Sequence, residues 1–203
     1  LLTVPRGEED DMRKKMKWML VVNNVILGLG LVVLTVALVA LIPAVASAEE
    51  EGLGPELAQV RAVTARFHRI EEAIAAGYEL GWVNGSGVRI ITGCVSHPIA
   101  GAMGYHYFNA VLMADNGVDP LEPEVLVYAP AADGGLKLVA VEWVVLGPRS
   151  NPPGVSTPPS VLGMEMHILV PYPGPDFWIM HAWVWANNPA GMFEDWNPEV
   201  SCL

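Results

Sequence analysis

The 203-residue chain is poor in basic residues, in cysteine and in motifs that announce a nucleotide or nucleophile site. Eleven Lys and Arg stand against 22 Asp and Glu, a net charge of −11. That balance excludes a nucleic-acid-binding role that depends on a basic footprint. No G-x-S-x-G occurs, and Ser86, Ser96 and Ser160 lie in loop-like contexts, so nothing supports a Ser–His–Asp nucleophile. The glycines of Gly81–Gly87 lack the G-K-S/T of a phosphate-binding loop and open no helix. Helix and strand patterns do not alternate, which excludes a parallel nucleotide-binding sheet. The 17 Pro and 20 Gly fall below a low-complexity composition. Hydrophobic residues make up 52% of the chain, enough for a genuine core in one domain or two small ones.

The first 48 residues read as an address. Arg13, Lys14, Lys15 and Lys17 form a basic cluster, the run Val25–Ile42 carries no charge, and Pro43 and Ala46-Ser47-Ala48 follow. Basic region, apolar region and small-residue site in that order predict a secretory signal peptide over residues 12–48, cleaved after Ala48. The competing reading is an uncleaved membrane anchor, since the run reaches the lower limit for a spanning helix. In both readings the basic side stays in the cytoplasm and Glu49–Leu203 is exported as a single domain (residues 49–203). Leu1–Asp11, ahead of the first Met at Met12, reads as translated upstream sequence.

Both cysteines, Cys94 and Cys202, lie in the exported part. In an oxidising compartment an isolated pair points to a disulfide, the alternative being two free thiols. A bond would staple the extreme C-terminus to the middle of the domain.

From Pro55 to Ala76 the apolar rhythm of Leu57, Val60, Thr64, Phe67 and Ile74 predicts one helix, stopped by Gly77. His68, between Arg66 and Arg69, is expected on its surface or boundary. Short β-type runs follow at Val88–Thr92, Tyr105–Phe108, Val125–Tyr128, Leu136–Leu146, Met164–Val170 and Phe177–Trp185. One helix followed by about six such strands predicts an α+β fold: an N-terminal helix against a mainly antiparallel sheet or small barrel. Gly147–Pro159, with five Pro, is expected as a surface excursion or a flap. Met192, Phe193 and Trp196 predict a short helical turn inside a C-terminal clasp.

Four polar residues interrupt runs that otherwise look buried. His106 sits between Tyr105 and Tyr107, Glu142 between Val141 and Trp143, and His181 between Met180 and Ala182; His167 lies within Met164–Val170. Burying a carboxylate in such a strand costs several kcal/mol unless it is paired, protonated or bound to a cation. Alternation places Glu142 with Leu138 and Ala140, and His181 with Ile179 and Trp183. If the strands are neighbours, two imidazoles and one carboxylate form a set suited to Zn, Fe, Mn or Cu, with His167 as a further candidate ligand. The bland alternative is a buried hydrogen-bond network in which Glu142 accepts from the histidines and from Tyr hydroxyls.

The segments Ala102-Met103-Gly104-Tyr105-His106-Tyr107, Pro123–Tyr128, Val141–Trp143 and His181–Pro198 (His-Ala-Trp-Val-Trp…Asn-Pro-Ala-Gly-Met-Phe…Trp-Asn-Pro) together resemble a group of uncharacterised exported bacterial proteins. The resemblance spans about Val63 to Cys202. It implies a bacterial, exported, single-domain protein and carries no activity across.

Three functions from different classes follow. The first is an exported β-rich protein holding a divalent transition metal or small ligand at His106, Glu142 and His181. The second is a non-metal module that holds an apolar ligand or envelope partner through its tryptophans. The third is an enzyme using the same His–Glu set as acid and base. Leu1–Ala48 holds five of the basic and four of the acidic residues, so Glu49–Leu203 keeps six against eighteen, a net of −12. An anionic membrane surface is therefore a poor partner for the exported part, and membrane contact is expected only through the signal segment.

Overall fold

The computed structural model describes residues 54–169 and 176–203. The expected signal peptide and its cleavage site lie outside those residues. Among the described residues no helix is long and apolar enough to cross a membrane.

The leading helical segment is built in pieces. Helix α1 spans Gly54–Thr64, a 3-10 turn covers Ala65–His68, and helix α2 spans Ile70–Ala75. One continuous helix was the expectation from Pro55 to Ala76; the chain instead breaks at Arg69, which is extended (φ −92, ψ 110). Side chains take the carbonyls around that break. The Thr64 hydroxyl donates to Val60 O at 2.7 Å, and the Tyr128 hydroxyl donates to Phe67 O at 2.7 Å. The break also shifts the buried stripe. Leu57, Val60, Thr64 and Phe67 point inward as the rhythm predicts, but beyond it Ala73 is buried and Ile74 is 55% exposed.

Eleven strands follow among the described residues: β1 Tyr78–Leu80, β2 Trp82–Val83, β3 Arg89–Ile90, β4 Val95–His97, β5 Gly101–Asn109, β6 Val125–Pro130, β7 Leu136–Leu146, β8 Ser160–Val161, β9 Met164–Glu165, β10 His167–Leu169 and β11 Phe177–Ala182. Seven form one antiparallel sheet in the order β1-β5-β6-β7-β11-β10, with β4 beside the first half of β5. The pairs β2–β3 and β8–β9 are separate two-stranded ribbons. The α+β class is as predicted. The sheet is open, however, and the barrel alternative is corrected: no pairing among the described strands joins β10 back to β1 or β4.

Two apolar layers cover the sheet. On one face Leu57, Val60 and Phe67 of the helical segment pack with Leu126, Tyr128, Val141, Trp143 and Met180. On the other, Phe108, Val125, Val127, Val144 and Ile179 pack with Trp82, Met103, Trp183 and Val200. Successive residues of β7 alternate between these layers until a bulge. Val127 faces Ala140 but Tyr128 faces Leu138, which leaves Val139 as the extra residue. Leu138 therefore belongs to the helix-side layer and not, as simple alternation predicted, to the layer that contains Ala140.

The C-terminal segment is a clasp. Cys202 is bonded to Cys94, with a Cα–Cα separation of 5.7 Å. Ala102 and Asn197 exchange backbone hydrogen bonds at 3.1 and 3.2 Å. Gly101 admits that contact, because a Cβ there would lie 2.1 Å from Asn197 O. Met192, Phe193 and Trp196 pack as predicted against the apolar layers, but through tight turns instead of a helical turn. The Pro-rich stretch is a pinned surface loop. Arg149 donates to Asp176 at 2.5 and 2.8 Å, and Gly85 N–H donates to Asn151 O at 2.6 Å.

Candidate metal centre

The register of the central strands brings three polar side chains onto one face. His106 on β5 faces Val127 on β6, Val125 faces Glu142 on β7, and Glu142 faces His181 on β11. Cross-strand partners share a face. His106, Glu142 and His181 therefore project from the side opposite the helices, under Trp183 and the C-terminal clasp. Relative exposures are 4%, 3% and 0%. Each is held by a long central strand, so its position is set by backbone pairing.

The geometry brings the groups close without bonding them. His106 Nε2 is 3.7 Å from Glu142 Oε2, and His181 Nδ1 is 3.9 Å from Glu142 Oε1. Both separations are too long for hydrogen bonds. His106 Nδ1 and both ring nitrogens of His181 are buried with no hydrogen-bond partner among the described residues. One ligand atom from each of the three lies within 4.8 Å of the others. Two tyrosine hydroxyls are engaged on the helix side, with Tyr78 donating to Pro123 O and Tyr128 to Phe67 O.

Electrostatics favour ligand-competent imidazole. Burial pushes the His106 pKa below the ordinary histidine value, outweighing the upward pull of the Glu142 carboxylate; His181 adds a further downward push. A neutral ring keeps a lone pair free for a cation.

His167, the fourth candidate, is paired with Ile179 and so belongs to the same face by register. It lies on the edge strand β10, its side chain is 48% exposed, and its Nε2 is 3.0 Å from Asp195 Oδ2. The convergent group does not contain it. His68 is exposed against Trp185, with ring centroids 4.3 Å apart, as a boundary residue. His97 ends β4 and accepts from the Ile99 and Ala100 N–H groups at 3.2 and 3.0 Å.

Two acids near the site were not singled out from the sequence. Glu124 is 2% exposed, and burial pushes its carboxyl up to about 8, against the opposing hydrogen bond from Val144 N–H at 3.0 Å. It caps a β7 amide just beyond the point where β6 begins, at Val125. Its signal was weak because Pro123 made the segment read as loop. Asp195 holds His167 with one oxygen, while Oδ1 is buried without a partner among the described residues.

Compared with family models, curated proteins and solved structures, the chain finds no match.

Proposed function

We propose that the protein binds one divalent transition-metal ion through His106, Glu142 and His181. The observation that carries this reading is the convergence of three buried residues from three strands, two of them histidines with ring nitrogens that lack partners among the described residues. Two ligands each about 2.1 Å from a common ion stand roughly 3–4 Å apart. The 3.7 and 3.9 Å separations fall in that range and outside hydrogen bonding. Two imidazoles and a carboxylate suit Zn, Fe or Mn, and also accept Cu. An ion there would neutralise the Glu142 charge and take one ring nitrogen from each histidine. With three protein ligands, positions stay open for a small molecule, which would be polarised or activated as a Lewis acid does.

The same reading places the domain outside the cell membrane. The Cys94–Cys202 bond supports an oxidising compartment, in keeping with the signal peptide proposed over residues 12–48 and with the bacterial exported group that the chain resembles.

Titrating metal-stripped protein with Zn, Mn, Fe(II) or Cu(II) is expected to raise Tm in the wild type and leave His106→Ala and Glu142→Gln unmoved. A wild-type Tm indifferent to all four ions contradicts the proposal.

A further inference from the structure

Beside the convergent group lies a cavity of about 60 Å³. Its walls include Ile91, Met103, Phe108, Val144 and Ile179, and the only polar side chains among its described lining residues are His106 and Glu142. Two of the three convergent residues thus border an otherwise apolar space, among the described residues.

Size, charge and polarity each restrict the guest. An apolar cavity of about 150 Å³ holds benzene, so this one is too small for a six-membered ring. In the metal-free protein an anion would meet the Glu142 carboxylate in a low-dielectric wall with no cationic side chain among the described lining residues. A molecule with several hydrogen-bonding groups would leave most of them unpaired against Phe108, Val144 and Ile179, at a cost of roughly 1–3 kcal/mol for each group.

We propose that this cavity binds a small neutral molecule of two or three heavy atoms, with the size and polarity of a diatomic gas such as O2 or NO, next to the His106–Glu142 side of the metal position. The adjacency to an ion rests on the function proposed above, whereas the preference for a compact neutral guest rests on the cavity alone.

The test uses xenon as an apolar probe of matching size, followed by 129Xe NMR on the metal-stripped protein. The wild type is expected to show saturable binding that excess azide does not displace. Ile179→Phe, and independently Leu169→Phe, should lower the xenon association constant by about tenfold or more by filling the space; folding of each is confirmed by its near-UV circular dichroism. A shift linear in xenon concentration and equal in wild type and both folded variants overturns the proposal, as does displacement of xenon by azide.

Paramagnetic Co(II), with uptake verified by elemental analysis, is then expected to move or broaden the bound-xenon resonance. An unmoved resonance in the Co(II)-loaded protein overturns the adjacency. Saturable xenon binding without Co(II) uptake upholds the cavity and contradicts the metal site, while Co(II) uptake without saturable xenon binding does the reverse.

Discussion

Glu142 and His181 face each other directly across β7 and β11, and the carboxylate stops 3.9 Å short of the imidazole Nδ1. Both are buried away from bulk solvent, at 3% and 0% exposure. A pair placed this close but left unbonded is costly without a third party. That cost is the basis of the first expectation. In metal-stripped protein, Glu142→Gln removes a buried charge and should be neutral or stabilising by about 1–2 kcal/mol. In metal-loaded protein the same change should be destabilising. Urea unfolding of both forms, with and without metal, checks the reversal of sign.

His167 separates a three-ligand centre from a four-ligand one. Its Nε2 is 3.0 Å from Asp195, and it lies outside the convergent group. His167→Ala is therefore expected to keep the metal stoichiometry of the wild type, while His181→Ala loses it. Metal content of the two purified variants decides the matter.

The His167–Asp195 pair also gives a pH dependence. Its hydrogen bond with Asp195 raises the His167 pKa above the ordinary histidine value of 6.5. A histidine raised on folding contributes stability that is fully present below its unfolded pKa and is lost as pH rises through the folded one. Because the side chain is 48% exposed, solvent screening holds the contribution below about 1 kcal/mol. Asp195→Asn should bring the His167 titration, followed by NMR, back towards 6.5.

Glu124 has the opposite chemistry with the same direction. Its carboxyl is pushed from 4.5 to about 8, so the folded state holds a proton that the unfolded state releases. Stability is unaffected below pH 4.5 and falls as pH rises from there towards 8, by about 5 kcal/mol at most. Glu124→Gln retains an oxygen acceptor for the Val144 N–H and removes the titration. Its unfolding free energy should be flatter than that of wild type between pH 5 and 8, as measured by urea titration at each pH.

Reduction of Cys94–Cys202 opens a loop whose ends are 108 residues apart in sequence. Loop-closure entropy assigns the bond about 4–5 kcal/mol, as an upper value. The replacement pair Cys94→Ala, Cys202→Ala should lose up to that amount and expose Trp183, which the clasp buries at 1% exposure. Chemical unfolding followed by tryptophan fluorescence measures both effects.

His106, Glu142 and His181 were legible because each is a lone polar residue inside an apolar run, and a central strand buries whatever it carries. His167 gave the same local signal, yet β10 is an edge strand, and edge position depends on which strands pair. Local pattern does not encode that. The bulge at Val139 was hidden for a related reason: one extra residue in a run of Val, Ala and Leu leaves hydrophobicity unchanged while moving Leu138 to the other face. In the helical segment the break at Arg69 depends on Tyr128, a residue 61 positions beyond the Phe67 carbonyl it captures. Glu124 and Asp195 lay in stretches rich in turn-forming residues, where acids are ordinarily solvated; only tertiary packing buries Glu124 and half-buries Asp195.

If His106, Glu142 and His181 share one ion, elemental analysis of the purified protein finds it. Close to one equivalent of Zn, Fe, Mn or Cu per chain is expected in the wild type, with loss in Glu142→Gln. Wild-type protein that arrives without metal and takes up none of the four when offered contradicts a shared ion.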